Sequence, residues 1–133
     1  MTILRGTRGY LAPDWISDFP INVKVDVYSY GQMLLELINR RKKFNPTEIP
    51  SKQYCPDWLF NEMVAGNFVG MSDPRLGNEV DLEQVEVLVR VAFVCIQGNN
   101  LSRPSMGEVV AMMQQKYTIL TPYSKNSIDC SGI

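Results

Sequence analysis

The chain has 133 residues, of which 45% are hydrophobic and 20% charged, and its formal net charge is −1. This composition is typical of one folded domain with its own core and excludes an intrinsically disordered chain. The balanced charge argues against nucleic acid as a partner. The absence of histidine excludes Ser-His and Cys-His nucleophile pairs and histidine-containing zinc sites.

The three cysteines, Cys55, Cys95 and Cys130, are too few and too widely spaced for a disulfide framework or a Cys-x-x-Cys site. We therefore expect reduced thiols in a cytosolic setting, with Cys95 buried because it lies in an apolar run. No apolar run approaches 18 residues and no secretory signal peptide opens the chain, so no membrane span is predicted. No metal site is predicted either.

The first elements in chain order are a loop and a short helical turn. Residues 1–10 are polar and contain Gly6 and Gly9, without the lysine that a phosphate-binding P-loop requires. Pro13 suits the first position of a helix and Asp14 its positively polarised first turn, so one helical turn is predicted there. Residues 17–24 are predicted to form a connection.

A helix from Lys24 to about Arg40 is predicted to be the element around which the rest of the chain packs. Apolar residues occur on nearly every side of it, and a helix of that kind is buried on all sides. The basic run Arg40-Arg41-Lys42-Lys43 at its end suits the helix dipole. We interpret this run as a solvated helix end in preference to a docking or targeting patch.

Three further helices are predicted after a proline-containing loop over residues 44–56. They cover residues 57–65, 82–97 and 106–115. Gly66 stops the first, Asp81 caps the second, and Ser105 with Glu108 fits a capping box at the start of the third. Residues 71–81 are predicted to be a loop, and residues 117–133 a frayed polar tail. The predicted fold class is mainly α, with about four main helices around a central buried helix.

Three motifs, in this order, resemble the C-terminal half of a eukaryotic protein kinase domain. They are Gly6-Thr7-Arg8-Gly9-Tyr10-Leu11-Ala12-Pro13-Asp14-Trp15, Lys24-Val25-Asp26-Val27-Tyr28-Ser29-Tyr30-Gly31 and Arg103-Pro104-Ser105-Met106. The chain is most similar to plant receptor-like serine/threonine kinases of the S-domain (G-type lectin) group, and Cys95-Ile96-Gln97 adds to the match. The resemblance implies a partial kinase domain, the truncated C-terminal lobe, over residues 1–116, followed by a disordered tail over residues 117–133.

The resemblance also implies roles for single residues. The substrate-docking loop would consist of Gly6, Thr7, Gly9 and Tyr10, and the candidate phosphorylation sites would be Thr2 and Thr7. For Thr2, an ordinary disordered terminal residue is an equal alternative. Asp26 would match the carboxylate that holds the catalytic-loop backbone in the family, which is a structural role.

Asp14 and Arg103 would form an ion pair, since they match the carboxylate of the Ala-Pro-Glu motif and its arginine partner. Physical chemistry favours this pair independently, because a bidentate guanidinium–carboxylate bridge would tie the first loop to the last helix. The alternative is an Arg103 that lies in water. Because Asp14 is one methylene shorter than glutamate, we expect a bridge that is longer, single-pronged or mediated by water.

The motifs that perform kinase chemistry are absent from the 133 residues: the sequence has no Gly-x-Gly-x-x-Gly, no Val-Ala-Ile-Lys, no His-Arg-Asp and no Asp-Phe-Gly. We therefore predict no catalytic residue and no cofactor for this chain, whereas the intact family uses ATP and magnesium. An uncovered side of the central helix is also expected, with Val27, Tyr30 or Leu34 facing solvent and an exposed apolar patch above a few hundred Å². Marginal stability or dependence on a partner would follow.

Three functions remain open at this point: a serine/threonine kinase whose catalytic part lies outside this sequence, an inactive fragment that acts as a protein-interaction module, and an unrelated small helical binding protein. The expected partners are protein substrates, other proteins or the missing kinase half. The expected location is the cytoplasmic side, at the plasma membrane if a full-length receptor exists. Asn100-Leu101-Ser102 is a glycosylation sequon that would be silent there.

Overall fold

The computed structural model describes residues 12–15, 22–40, 47, 55–73, 75 and 81–114. Five α-helices lie in these ranges: α1 (Lys24–Asn39), α2 (Cys55–Val64), α3 (Phe68–Met71), α4 (Leu82–Cys95) and α5 (Met106–Met113). Two 3₁₀ turns, Pro13–Trp15 and Asn100–Ser102, precede α1 and α5 respectively. No β-strand occurs within the described ranges, so the predicted mainly α fold class is confirmed.

The helix boundaries follow the local signals in the sequence. The side chain of Asp81 accepts hydrogen bonds from the backbone N–H groups of Glu83 and Gln84 and so caps α4 as predicted. Ser105 and Glu108 form the predicted capping box at the start of α5. The chain turns away shortly after α2 at Gly66, whose φ of 76° is a conformation that glycine adopts without strain.

The centre of the molecule is the contact between α1 and α4. At Gly31 of α1, an added Cβ would lie 2.7 Å from the Cβ of Cys95 and 2.9 Å from the carbonyl oxygen of Ala92. A hydrogen atom at this position therefore lets the two helix backbones approach closely. Both helices carry fully buried side chains here, including Tyr28 of α1 and Phe93 of α4.

The helices α2 and α3 cover the same core from another side. Phe60 of α2 packs edge-on against Phe93 of α4, with ring centroids 5.4 Å apart. The end of α1 is tied to the last residue of α3 and to the segment that follows it by two hydrogen bonds. The Asn39 amide donates to the Met71 carbonyl oxygen (2.8 Å), and the Asp73 backbone N–H donates to the Ile38 carbonyl oxygen (2.9 Å).

The residues of α1 that face solvent are not the ones that were expected to do so. Val27 and Leu34, which were expected to face solvent, are buried, and Tyr30 is half-buried. Met33 and Leu37 are instead 45% and 60% exposed, and Asp26 is exposed on the same side. We call the side formed by Tyr30, Met33 and Leu37 the α1 stripe. It arises because α4 covers one side of the helix and no other described element covers the opposite one.

Two further differences concern short elements. The helix α3 was not predicted, because four residues carry no periodicity. The helix α2 begins at Cys55 where Asp57 was expected. Within the described ranges, no helix combines the length and the apolar character that a membrane crossing requires. The predicted tail, residues 117–133, lies outside the described residues.

Candidate functional site

The candidate site is the place where the first described turn meets the segment that leads into α5. The 3₁₀ turn Pro13–Trp15 presents the Asp14 side chain inward. The second 3₁₀ turn, Asn100–Ser102, is capped by the Asn99 side chain, which accepts a hydrogen bond from the Leu101 backbone N–H at 2.9 Å. The turn is followed directly by Arg103, whose extended backbone leads into α5.

Asp14 and Arg103 form a buried, two-pronged ion pair. The Nη2 of Arg103 donates to Oδ1 of Asp14 at 2.6 Å, and Nη1 donates to Oδ2 at 3.3 Å. The two residues are 3% and 2% exposed and stand 89 positions apart in the sequence. The expectation of a longer, single-pronged or water-mediated bridge is wrong. The 3₁₀ turn brings the shorter aspartate side chain close enough for direct contact.

The rest of the Arg103 guanidinium is also hydrogen-bonded. Its Nε donates to the Gln97 carbonyl oxygen (2.7 Å), Nη1 to that of Lys24 (3.2 Å) and Nη2 to that of Gly98 (3.2 Å). The Arg103 Cζ lies 5.1 Å from the centroid of the buried Tyr28 ring, within the range of a cation–π contact. Arg103 therefore joins the end of α4 to the start of α1 as well as to Asp14.

Two residues that sequence reasoning did not assign to the site complete it. The Nδ2 of Asn100 donates to Oδ2 of Asp14 at 3.0 Å, and the Nζ of Lys24 donates to the Arg103 carbonyl oxygen at 2.7 Å. We call Asp14, Asn100 and Arg103 the polar cluster. The sequon drew attention to Asn100, but nothing in it indicated a buried partner.

The electrostatics of the cluster favour an ionised Asp14. Burial raises the pKa of this carboxyl, but the hydrogen bonds from Arg103 and Asn100, together with the charge of Arg103, hold it below its ordinary value. Nearby, burial raises the pKa of the Cys95 thiol to about 12, against a smaller lowering effect of Arg103. The thiol is therefore neutral and unreactive at physiological pH, as expected for a buried structural cysteine.

The other residues singled out from the sequence are not brought into this site. The expected docking loop (Gly6, Thr7, Gly9, Tyr10) and Thr2 lie outside the described residues. Asp26 is exposed in the first turn of α1, whereas the members of the cluster are buried. The described residues contain no group of three or more His, Cys, Asp or Glu side chains placed to hold a metal ion. The cluster ties parts of the chain together, and both carboxylate oxygens of the buried Asp14 are engaged in hydrogen bonds within it.

Comparison with known proteins shows which proteins this chain is similar to. No protein-family model matches the chain. It is 41% identical over 128 residues to the G-type lectin S-receptor-like serine/threonine-protein kinase SD2-5 of Arabidopsis thaliana, and 40% identical over 131 residues to the related kinase SD2-2 of the same plant. The alignments cover 96% and 92% of this chain.

The chain is homologous to part of the G-type lectin S-receptor-like serine/threonine kinases. It spans 16% of the length of each of these two relatives. The resemblance inferred from the three motifs is therefore confirmed, and the hypothesis of an unrelated helical binding protein is wrong.

A solved structure supports the fold. The chain resembles the pseudokinase domain of BIR2, an immune regulator of the RLK/Pelle family, with a TM-score of 0.64 and 23% sequence identity. The match covers 83% of this chain and 34% of that one. This likeness shows that the helices are arranged as in part of a kinase domain. The predicted kinase-like fold is thus confirmed.

Proposed function

We propose that residues 1–116 form part of the C-terminal lobe of a receptor-like serine/threonine kinase domain, and that the 133 residues alone transfer no phosphate. The observation that carries this proposal is the buried ion pair between Asp14 and Arg103. It joins two kinase-like motifs 89 positions apart within a helical body that resembles a kinase domain. The whole protein would phosphorylate protein substrates with ATP and magnesium supplied through the motifs that these residues lack.

Within this proposal, the segment before the ion pair acts on substrate. Gly6, Thr7, Gly9 and Tyr10 would dock the substrate, and Thr2 and Thr7 would accept phosphate. Asp14 fixes the end of this segment, because it lies only four positions after Tyr10 and is held by Arg103. Asp26, exposed on α1, would hold the backbone of the catalytic loop. The domain would lie on the cytoplasmic side of the plasma membrane.

A chimera tests the proposal directly. Residues 1–116 replace the homologous segment of the SD2-5 kinase, and incorporation of labelled phosphate into the chimera and into a generic protein substrate is measured. We expect the chimera to phosphorylate both and the 133-residue chain alone to phosphorylate neither. Loss of activity in the chimera, despite cooperative folding, would refute the assignment to a kinase lobe. Phosphate transfer by the chain alone would refute its inactivity.

Matched variants of the chimera identify the contribution of the ion pair. Asp14→Ala is expected to lower the activity at least about tenfold, since a small displacement of catalytic or docking groups has effects of that order. Arg90→Ala is the control, because Arg90 pairs with Glu86 on the surface of α4 and both side chains are partly exposed. This control should retain full activity.

A protein-interaction module is the second candidate, and the α1 stripe is the observation that favours it. Met33 and Leu37 are apolar and exposed on a helix whose opposite side is in the core. The partner we propose is the remaining part of the kinase domain. Mixing the chain with a separately expressed fragment of SD2-5 that precedes the homologous segment should give a complex. Leu37→Lys should abolish it, whereas Val110→Lys on the exposed side of α5 should not.

A further inference from the structure

The guanidinium of Arg103 is held in place by contacts outside its ion pair. Its Nε donates to the Gln97 carbonyl oxygen at 2.7 Å, and its Nη1 and Nη2 donate to the carbonyl oxygens of Lys24 and Gly98 at 3.2 Å each. Its Cζ also lies 5.1 Å from the centroid of the Tyr28 ring. These partners belong to α1 and to the segment that ends α4. The guanidinium therefore has supports that would keep its orientation without a carboxylate partner.

The amide of Asn100 is placed by its own 3₁₀ turn. The backbone N–H of Arg103 donates to the Asn100 carbonyl oxygen at 3.2 Å, and the Asn99 side chain caps the turn. Asn100 and Arg103 are 9% and 2% exposed. We call the three side-chain donors, Nδ2 of Asn100 with Nη1 and Nη2 of Arg103, the carboxylate socket. The whole socket comes from the connection between α4 and α5.

The group that fills the socket comes from a distant part of the chain. The Oδ1 of Asp14 accepts from Nη2 of Arg103 at 2.6 Å, and Oδ2 accepts from Nη1 at 3.3 Å and from Nδ2 of Asn100 at 3.0 Å. Donors in this arrangement match the two oxygens and the negative charge of a planar carboxylate. A spherical halide ion could not use the parallel donors in the same way. The Asp14 carboxylate therefore occupies the socket as a ligand that the chain itself carries.

We propose that the carboxylate socket is a binding site for small carboxylate anions, and that the Asp14 side chain is its tethered ligand in the unmodified chain. The covalent tether raises the effective concentration of the carboxylate. The geometry of the site comes from the socket, so a free carboxylate anion of suitable size can bind there when the Asp14 carboxylate is removed. The socket lies within the helical body and does not depend on the proposed kinase activity.

Two variants of position 14 test the site with two anions of different size. Asp14→Ala removes the carboxylate group, which formate can supply, and Asp14→Gly also removes the methylene, which acetate can supply. Each full-length variant is unfolded in urea at pH 7 with sodium formate, sodium acetate or sodium chloride at equal ionic strength. We expect about 0.5 M formate to raise the folding equilibrium constant of Asp14→Ala at least about fivefold relative to chloride, because a ligand that binds the folded state stabilises it. Acetate should be the more effective anion for Asp14→Gly.

Matched variants show where the anion binds. In Asp14→Ala with Arg103→Ala, formate should stabilise no more than chloride does, because the charge of the socket is gone. In Asp14→Ala with Asn100→Leu, the response should be smaller than in Asp14→Ala, since one donor is lost. Arg75→Ala in the Asp14→Ala background is the control, because Arg75 pairs with Asp73 but has a side chain that is 68% exposed. This control should keep the full response to formate.

The unmodified chain measures the general effect of each salt, since its socket is already filled. It should respond equally to formate, acetate and chloride. If Asp14→Ala is too unstable for a urea titration, the comparison is made in trimethylamine N-oxide, which favours the folded state. Equal effects of formate and chloride on folded Asp14→Ala would overturn the proposal, as would an undiminished response without Arg103. Either result would leave the kinase assignment intact, because the chimera tests that assignment separately.

Discussion

At the scale of single residues, Arg103 is the buried side chain that joins several distant parts of the described chain. It contacts Asp14, three backbone carbonyl oxygens and the Tyr28 ring while remaining 2% exposed. A buried guanidinium is costly to desolvate, and only a full set of partners offsets that cost. Removing one partner should therefore lower the free energy of unfolding by more than the intact ion pair contributes to it.

A double-mutant cycle measures this coupling. Asp14→Ala and Arg103→Ala should each lower the free energy of unfolding by about 3–5 kcal/mol, because each leaves a buried charge unpaired. The double variant should lose clearly less than the sum, since neither charge then remains. Urea denaturation of the four proteins gives the coupling energy. Strict additivity would show that the two residues are not energetically linked.

A surface pair provides the comparison for this cycle. Arg90 and Glu86 are also in contact, at 2.9 Å and one helical turn apart, but their side chains are 34% and 42% exposed. Replacing Glu86 with alanine should change the free energy of unfolding by less than about 1 kcal/mol, because solvent screens such pairs. Glu86 is the residue to replace, since Arg90 also lies 6.0 Å from the centroid of the Phe68 ring. Comparing the buried pair of Asp14 and Arg103 with this surface pair separates the effect of burial from the effect of the ion pair itself.

Gly31 is the second residue on which the fold depends. We expect Gly31→Ala to lower the free energy of unfolding by about 1–3 kcal/mol, because its Cβ would lie 2.7 Å from atoms of Cys95 and Ile96. Gly107→Ala is the matched control. The nearest atom to a Cβ there, the Ser105 Oγ, is 3.9 Å away, so the higher helix propensity of alanine should stabilise α5 slightly. Urea denaturation of both variants measures these changes in the free energy of unfolding.

At the scale of elements, side-chain caps mark where α4 and α5 begin. Ser105→Ala should lower the free energy of unfolding by about 1 kcal/mol, because it removes the hydrogen bond from the Glu108 backbone N–H to the Ser105 Oγ at 3.1 Å. Ser102→Ala is the control, since the described hydrogen bonds of Ser102 involve its backbone only. Circular dichroism during thermal unfolding compares the two variants. Equal melting temperatures would contradict the role of the capping box.

The elements also show which parts of the fold could be predicted from the sequence. The caps at Asp81 and Ser105 were predictable because a cap depends on residues two or three positions apart. The ion pair between Asp14 and Arg103 was predictable because both residues match positions that pair in the family. A pattern of neighbouring residues would not have indicated this contact. The position of Asn100 could not be predicted, because it depends on where two turns distant in sequence meet. The sequence also does not show which side of α1 is covered, because apolar residues occur on nearly every side of the helix. The covered side depends on which other elements pack against it.

At the scale of the whole molecule, the buried charges make stability depend on pH in a defined direction. The pKa of Asp14 lies below its ordinary value of 3.8, because the effects of Arg103 and Asn100 exceed that of burial. The unfolded chain therefore binds more protons than the folded chain as the pH falls below about 4. The stability that Asp14 contributes is complete above its ordinary pKa and is lost as the pH falls through its folded pKa.

We therefore expect the free energy of unfolding, measured in urea, to be nearly constant between pH 7 and 5 and to fall below about pH 4. Asp73 and Glu108 act in the same direction, since hydrogen bonds from Arg75 and Ser105 respectively also lower their pKa values. Asp14→Asn separates the contributions: this variant should be less stable at pH 7, with a weaker dependence on pH below 4. An equally steep acid dependence in Asp14→Asn would assign the effect to other carboxylates and show that the ion pair is not responsible for it.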